Sequence, residues 1–213
     1  MNQKTKGFLS VMVPVVVWGI SFVSTEYLLD ALGPMTIGGI RFIFATAMMY
    51  GLMRLHKQPM AIERKDRALF LLAGGVGIAI YFLFENLGIK YISASPAALI
   101  IAAIPVFTLI FEAIFFKRRI DGIDVGVISL SIIGVIFIVD IKWQELFSAE
   151  EAIGYVLMFG AVIAWVVYSM ASKPLFKRYS YLTIIYYQFL YSLPFFIVMM
   201  PFESNDWSAL GLH

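Results

Sequence analysis

Apolar residues in this chain fall into long runs instead of the strict alternation that marks a half-buried strand. Seven runs stand out, at 8–29, 35–53, 68–89, 94–116, 122–139, 153–172 and 182–201, separated by short polar connections. Each is near the roughly 20 residues that a helix needs to cross the hydrocarbon core of a bilayer. Strands of a membrane barrel would be about 10 residues long and would alternate. The pattern therefore predicts an all-α membrane protein with seven transmembrane helices.

Composition sharpens this reading. The chain is 61% hydrophobic and 14% charged, against roughly 45–50% and 25% for a water-soluble globule. The apolar surplus has to face lipid, which excludes a soluble enzyme and a nucleic-acid binder. There is no cysteine, so disulfides, thiolate metal sites and cysteine nucleophiles are excluded as well.

Charge sets an orientation. Lys4 and Lys6 precede the first run; Arg54, Lys57, Arg64, Lys65 and Arg67 follow the second; Lys117, Arg118 and Arg119 follow the fourth; Lys173, Lys177 and Arg178 follow the sixth. The other set of connections holds Lys90 and Lys142. Short connections rich in Lys and Arg stay cytoplasmic, so the amino terminus is expected inside the cell, in an inner or plasma membrane crossed several times. Trp143 and Trp207 lie just past the outer ends of the fifth and seventh runs, where an amphipathic ring suits the headgroup layer. The first run is too long for a signal-peptide core and no small-x-small cleavage site follows it, so it reads as a retained helix.

The chain also matches itself. A shift of 147 residues, without a gap, brings Gly7 onto Gly154, Trp18 onto Trp165, Leu28 onto Leu175, Thr36 onto Thr183, Ile37 onto Ile184 and Phe42 onto Phe189. Five runs separate the copies, and five is odd, so the second copy must cross in the opposite sense. That is the inverted-repeat plan of many secondary transporters, whose sites lie near the bilayer midplane. The first repeat is expected over residues 7–140 and the start of a second over 153–213. A complete second copy would need roughly 80 more residues and three more helices, so the sequence reads as truncated at its carboxyl end.

The segments WGISFVSTEYLLDALGPMTIGGIRFIFATAMM, NLGIKYISASPAALIIAAIPVFTLIFEAIFF and GYVLMFGAVIAWVVYSMASKPLFKRYSYLTIIYYQ resemble the EamA-type family of the drug/metabolite transporter superfamily. The matching pieces are Trp18-Gly19, Ile40-Arg41-Phe42, the Ser/Ala-rich entry to the fourth run with Pro105 at its middle, and Trp165. Many members close the fourth run with Leu-Gly-Glu-Arg; this chain has Phe116-Lys117-Arg118-Arg119 there, without the acid. The resemblance covers residues 7 to about 201. It implies a ten-helix fold of two five-helix halves, and export of small metabolites such as amino acids or drugs.

Charges inside a membrane are expensive, about 2.5–3.5 kcal/mol each at a helix centre, and mark functional candidates. Glu26, Arg41 and Glu85 lie roughly 4.5, 9 and 6 Å below the outer boundary at about 1.5 Å per residue. Arg41 is expected to pair with Glu85, Glu26 or both, as a gate or an anion-binding group, and one Glu could carry a proton. The alternative is that both Glu side chains snorkel to the headgroups while Arg41 ties helices together. Glu112, beside Lys117 and Arg118, reads as interfacial pairing. The repeat places neutral Gln188 where the first copy has Arg41. Trp18, Tyr81, Trp165 and Tyr168 are candidate walls for apolar or cationic metabolites. Pro105 frees a backbone carbonyl mid-helix and is a candidate hinge.

No Walker-type phosphate loop, His-Glu-x-x-His pair or Gly-x-Ser-x-Gly elbow is present. The expectation is a secondary transporter working by alternating access, not an enzyme, with no cofactor and no metal site. Membrane lipid and a small-molecule substrate are the expected partners; protons and a second copy of the chain stay open. A membrane-embedded enzyme on a lipid-like substrate, or a non-transporting fragment associating with an intact transporter, are the alternatives.

Overall fold

The computed structural model describes residues 3–117, 119–138 and 149–210. Every long element among them is a helix. The first two runs become α1 (Gln3–Leu29) and α2 (Pro34–Leu55). The third becomes α3 (Arg67–Gly74), a π-helical stretch (Gly75–Ile80) and α4 (Tyr81–Ile92), and the fourth splits into α5 (Ala94–Ala102) and α6 (Ile104–Phe116). α7 (Gly122–Ile138), α8 (Ala149–Ser172) and α9 (Tyr181–Met199) complete the set.

Among the described residues six segments are long and apolar enough to cross a membrane: Met12–Leu29, Pro34–Leu55, Arg64–Ile92, Ala94–Phe115, Glu151–Lys177 and Tyr181–Phe202. The sequence suggests seven. The fifth run is represented by α7, of which 17 residues are described. The segment carrying Lys142 and Trp143, and Arg118, lie outside the described residues.

Proline and glycine set the interruptions. Pro34 opens α2, where its missing N–H costs nothing. Pro105 sits in the first turn of α6, just after the chain breaks helical geometry at Ala103. Its ring cannot share the carbonyl-to-amide ladder of the preceding turn, so one apolar run yields two helices. Between α4 and α5, Ser93 takes φ 67° and ψ 172°, a region that side chains with a Cβ avoid.

Connections alternate between two ends of the bundle. One end, here the Glu203 side, holds the close of α1, the start of α2, the α4–α5 junction and the segment after α9. The other, the Asp66 side, holds the end of α2, the start of the third span and the α8–α9 connection. Arg54, Lys57, Arg64, Lys65, Arg67, Lys117, Arg119, Lys173, Lys177 and Arg178 all lie toward the Asp66 side, and Lys90 toward the other.

The third span is the central post. Half of its residues are buried, against 11% of the α1 window. α4 and α8 pack antiparallel, with Gly88 against Met158 and Ile92 against Gly154. A Cβ at Gly77 would lie 2.3 Å from the Tyr168 Cβ, so glycine is what allows the π-helical stretch to approach α8 this closely. α2 and α9 are also antiparallel. Met53, near the end of α2, packs with Tyr186 near the start of α9, while Gly38 meets Phe196 at the other end. On the Asp66 side, Phe70, Leu175 and Ile184 are fully buried together. There the Asp66 carboxylate accepts from Arg178 and from the Tyr179 hydroxyl, which raises the guanidinium of Arg178 above its ordinary pKa.

Candidate functional site

Arg41 lies seven residues into α2 and Glu85 seven residues before the end of α4, so both sit about 10 Å from the Glu203 side at about 1.5 Å per residue. α4 runs three residues past the 68–89 estimate, which puts Glu85 deeper than the sequence suggested. The Arg41 guanidinium donates to Thr25 Oγ1 of α1 at 3.0 Å and lies 5.4 Å from the ring centre of Phe82, within cation–π range. The Tyr81 hydroxyl donates to the Glu85 carboxylate. Tyr81 is fully buried and Glu85 is 3% exposed.

The expected ion pairs of Arg41 with Glu85 or Glu26 are not formed among the described residues. Each charge is instead held by a hydroxyl, and the two flank the Tyr81–Phe82 pair. A buried charge needs such a partner to offset the loss of water.

The aromatic candidates touch one another. The Trp165 ring lies 5.7 Å from Trp18, 5.3 Å from Tyr81 and 5.1 Å from Tyr168, centre to centre. The Tyr168 hydroxyl donates to Gln188 Oε1 at 3.1 Å, and Gln188 Nε2 donates to Ser172 Oγ at 2.7 Å. Arg41, Glu85, Tyr81, Trp18, Trp165, Tyr168 and Gln188 thus belong to one connected constellation built from α1, α2, α4, α8 and α9. Gln188 and Tyr81 are fully buried, Arg41, Trp165 and Tyr168 half-buried, and Trp18 exposed at its edge.

Two candidates stand outside it. Glu26 accepts from the Ala94 amide at 3.2 Å and so caps the start of α5 next to strained Ser93; it also lines a cavity of about 520 Å³ together with Asp30, Lys90 and Glu151. Pro105 is exposed on α6. Glu112 bonds Lys173 at 2.5 Å, joining α6 to the end of α8.

Several residues of the constellation escaped the sequence reading. Thr25, Ser172 and Phe82 are ordinary membrane residues by type, and nothing in composition marks them. A signal did exist for two of them: Thr25 and Ser172 are 147 residues apart, and so are Arg41 and Gln188. The Arg41–Thr25 and Gln188–Ser172 bonds therefore join corresponding residues. The correspondence extends to backbone and packing. α2 and α9 begin at Pro34 and Tyr181, after N-caps with φ/ψ of −70°/154° and −69°/155°. The paired rings Trp18 and Trp165, and Phe42 and Phe189 at 5.1 Å, also differ by 147.

Chemically, a half-buried guanidinium next to aromatic faces suits a carboxylate or phosphate oxygen on a partly apolar solute, and a buried carboxylate suits an ammonium group. Among the described residues no group of three His, Asp or Glu side chains converges on a metal position.

Residues 5–140 match the EamA-like transporter family, and the chain belongs to it. Relatives include an uncharacterized transporter of Archaeoglobus fulgidus, 28% identical over 84% of this chain and 62% of the relative. The uncharacterized transporter YcxC of Bacillus subtilis is 28% identical over 84% of this chain and 57% of its own length. A protein of Streptantibioticus cattleyicolor named a probable terminal-alkyne amino-acid exporter is 24% identical over 92% of this chain and 65% of its own length. The chain thus spans about three fifths of the length of these relatives. No solved structure gives a significant match. The family and the apolar helices make this a multi-pass membrane protein of the drug/metabolite transporter superfamily, and the relatives' names point to a transporter rather than an enzyme.

Proposed function

We propose that the protein is a secondary transporter that exports small metabolites such as amino acids or drugs by alternating access, with substrate held between Arg41, Glu85 and the aromatic cluster. The observation that carries this reading is the pair of corresponding bonds, Arg41–Thr25 and Gln188–Ser172, on helices that pack antiparallel. Where corresponding residues of two units meet, as Trp18 and Trp165 do, an approximate two-fold axis passes between the units, and antiparallel helices put that axis across the bundle. This favours an inverted repeat, with a first unit over 7–140 and a second beginning at 153, in a ten-helix fold.

In this reading the Asp66 side faces the cytoplasm of an inner or plasma membrane, because it carries the Lys and Arg excess. In this reading the apolar run that contains α7 makes the further crossing that such an arrangement requires. Arg41 orients a carboxylate, the Trp18–Trp165 faces take an apolar or cationic part, and Glu85 offers a site for an ammonium group or a coupled proton. The exporter named among the relatives favours amino acids as the first class to try. A liposome panel of amino acids and cationic drugs, with and without a proton gradient, tests the reading. Saturable flux that falls in Arg41→Ala protein supports it; absence of flux for every solute, in protein that reconstitutes normally, overturns it.

A further inference from the structure

The start of α2 is held by residues from the far end of the chain. α2 is preceded by Gly33, which has no side chain to cap it, and Pro34 has no N–H. The remaining donors are taken by the segment after α9. Glu203 accepts from the Met35 amide at 2.8 Å through one oxygen, and from the Thr36 amide at 2.7 Å and its hydroxyl at 2.8 Å through the other. Asn205 Oδ1 accepts from the Gly33 amide at 2.9 Å. The Asp206 amide in turn donates to the Ala31 carbonyl at 2.8 Å. α9 has no such dependence, because its own Ser180 accepts from the Thr183 amide.

Two features make this contact a closure that can be released. First, the segment that makes it is polar and open: no residue between 201 and 209 is buried, so water can take over the segment's own hydrogen bonds on release. Beneath it α2 and α9 are joined by buried Met35, Phe42 and Phe196, while the Asp66 side is closed by buried Phe70, Leu175, Ile184, Met53 and Tyr186. Second, it is sterically exact in its demand on one residue. A Cβ at Gly33 would lie 2.3 Å from the Glu203 carboxyl, so the carboxylate lies flush against the backbone, where the positive end of the α2 dipole favours it. The segment itself is pre-shaped, since Asp206 accepts from the Ser208 and Ala209 amides and from the Ser208 hydroxyl.

We propose that residues 203–206 form a latch that pins the start of α2 to the end of α9 and closes the Glu203 side of the bundle, and that its release opens that side. The proposal rests on the transport reading in so far as the opening serves substrate passage. α2 and α9 carry Arg41 and Gln188, so parting them at this end uncovers the constellation from the Glu203 side while the apolar seal keeps the other side closed.

The chain has no native cysteine, which permits a direct test in the full-length protein in membranes. Met35, 3% exposed, is replaced by cysteine and its reaction rate with a membrane-impermeant maleimide is measured with Glu203 present and in Glu203→Ala and Asn205→Ala backgrounds. The latch predicts slow labelling in the parent and labelling at least about fivefold faster in Glu203→Ala, with a smaller rise in Asn205→Ala, as expected when a closed population is shifted open. Equal rates in the parent and both backgrounds overturn the proposal. Should Glu203→Ala fail to fold, cysteines at Ala31 and Asp206 bridged by a short bis-thiosulfonate give the second arm. Bridged protein is predicted to lose flux and to regain it on reduction; undiminished flux with the bridge in place overturns the latch. Labelling that responds to Glu203 in a protein showing no flux for any solute would leave the latch standing and sink the transport reading instead.

Discussion

Two corresponding positions in this molecule carry the same hydrogen-bond plan and different charge. In the first unit Arg41 donates to Thr25; in the second, neutral Gln188 donates to Ser172. The surroundings differ accordingly. Gln188 is fully buried and its other end is taken by Tyr168, whereas Arg41 is half-buried over the Phe82 face. A neutral amide with both ends satisfied is a structural tie. A guanidinium with one hydroxyl partner and further donors to offer is equipped to bind something. In the proposed reading the geometry of the repeat is shared between the units, and the binding chemistry belongs to one of them.

The largest effect that separates the two units is expected at the Trp pair. Trp165 touches three other rings, while Trp18 is 37% exposed and touches one. Trp165→Ala should therefore cost about 3–5 kcal/mol of stability and Trp18→Ala markedly less, read as thermal unfolding in detergent. Equal losses would mean that the two positions are energetically equivalent and that the contrast is superficial.

Next comes the contrast itself. Arg41→Ala should lower flux at least about tenfold with little loss of stability, because in the proposed reading Arg41 makes a charge-assisted bond of roughly 1.5–3 kcal/mol to substrate. Gln188→Ala should do the reverse, lowering the unfolding temperature through unsatisfied Tyr168 and Ser172 and changing flux only about threefold. A Gln188→Ala flux loss as large as that of Arg41→Ala would show that the amide, too, contacts substrate.

How much of this was legible in the sequence follows from the physics of each feature. Spans were legible because lipid demands unbroken apolar length, and Arg41 and Glu85 because a charge in lipid is costly. Gln188 was found only through the 147-residue correspondence. The partners are less visible: Thr25 and Ser172 are common in membrane helices, and an aromatic in a membrane helix suggests a wall without showing that the Tyr81 hydroxyl bonds Glu85. The Glu203 latch was not legible, since a carboxylate in a connection has no pattern until the helix start that it caps is placed beside it. The break at Ala103 and the π-helical stretch at Gly75–Ile80 depend on packing, which hydropathy does not record.

The smallest effect concerns the α4–α5 junction, which has no described counterpart in the second unit. Ser93 holds φ 67° and ψ 172°, a conformation that costs a side chain of order 1–3 kcal/mol and glycine little. Ser93→Gly should raise stability by about 1 kcal/mol without affecting flux. A fall in stability would mean that the serine side chain contributes a contact outweighing its strain.

The central claim is that the two units thread the membrane in opposite senses. Asp30, just past the end of α1, and Lys177, in the short 3-10 turn of the α8–α9 connection, are both exposed and lie 147 residues apart. With single cysteines placed at these two positions in intact cells, an impermeant maleimide should label the Asp30→Cys protein from outside and the Lys177→Cys protein only after the membrane is opened. Labelling of both from the same side of the membrane would contradict the account.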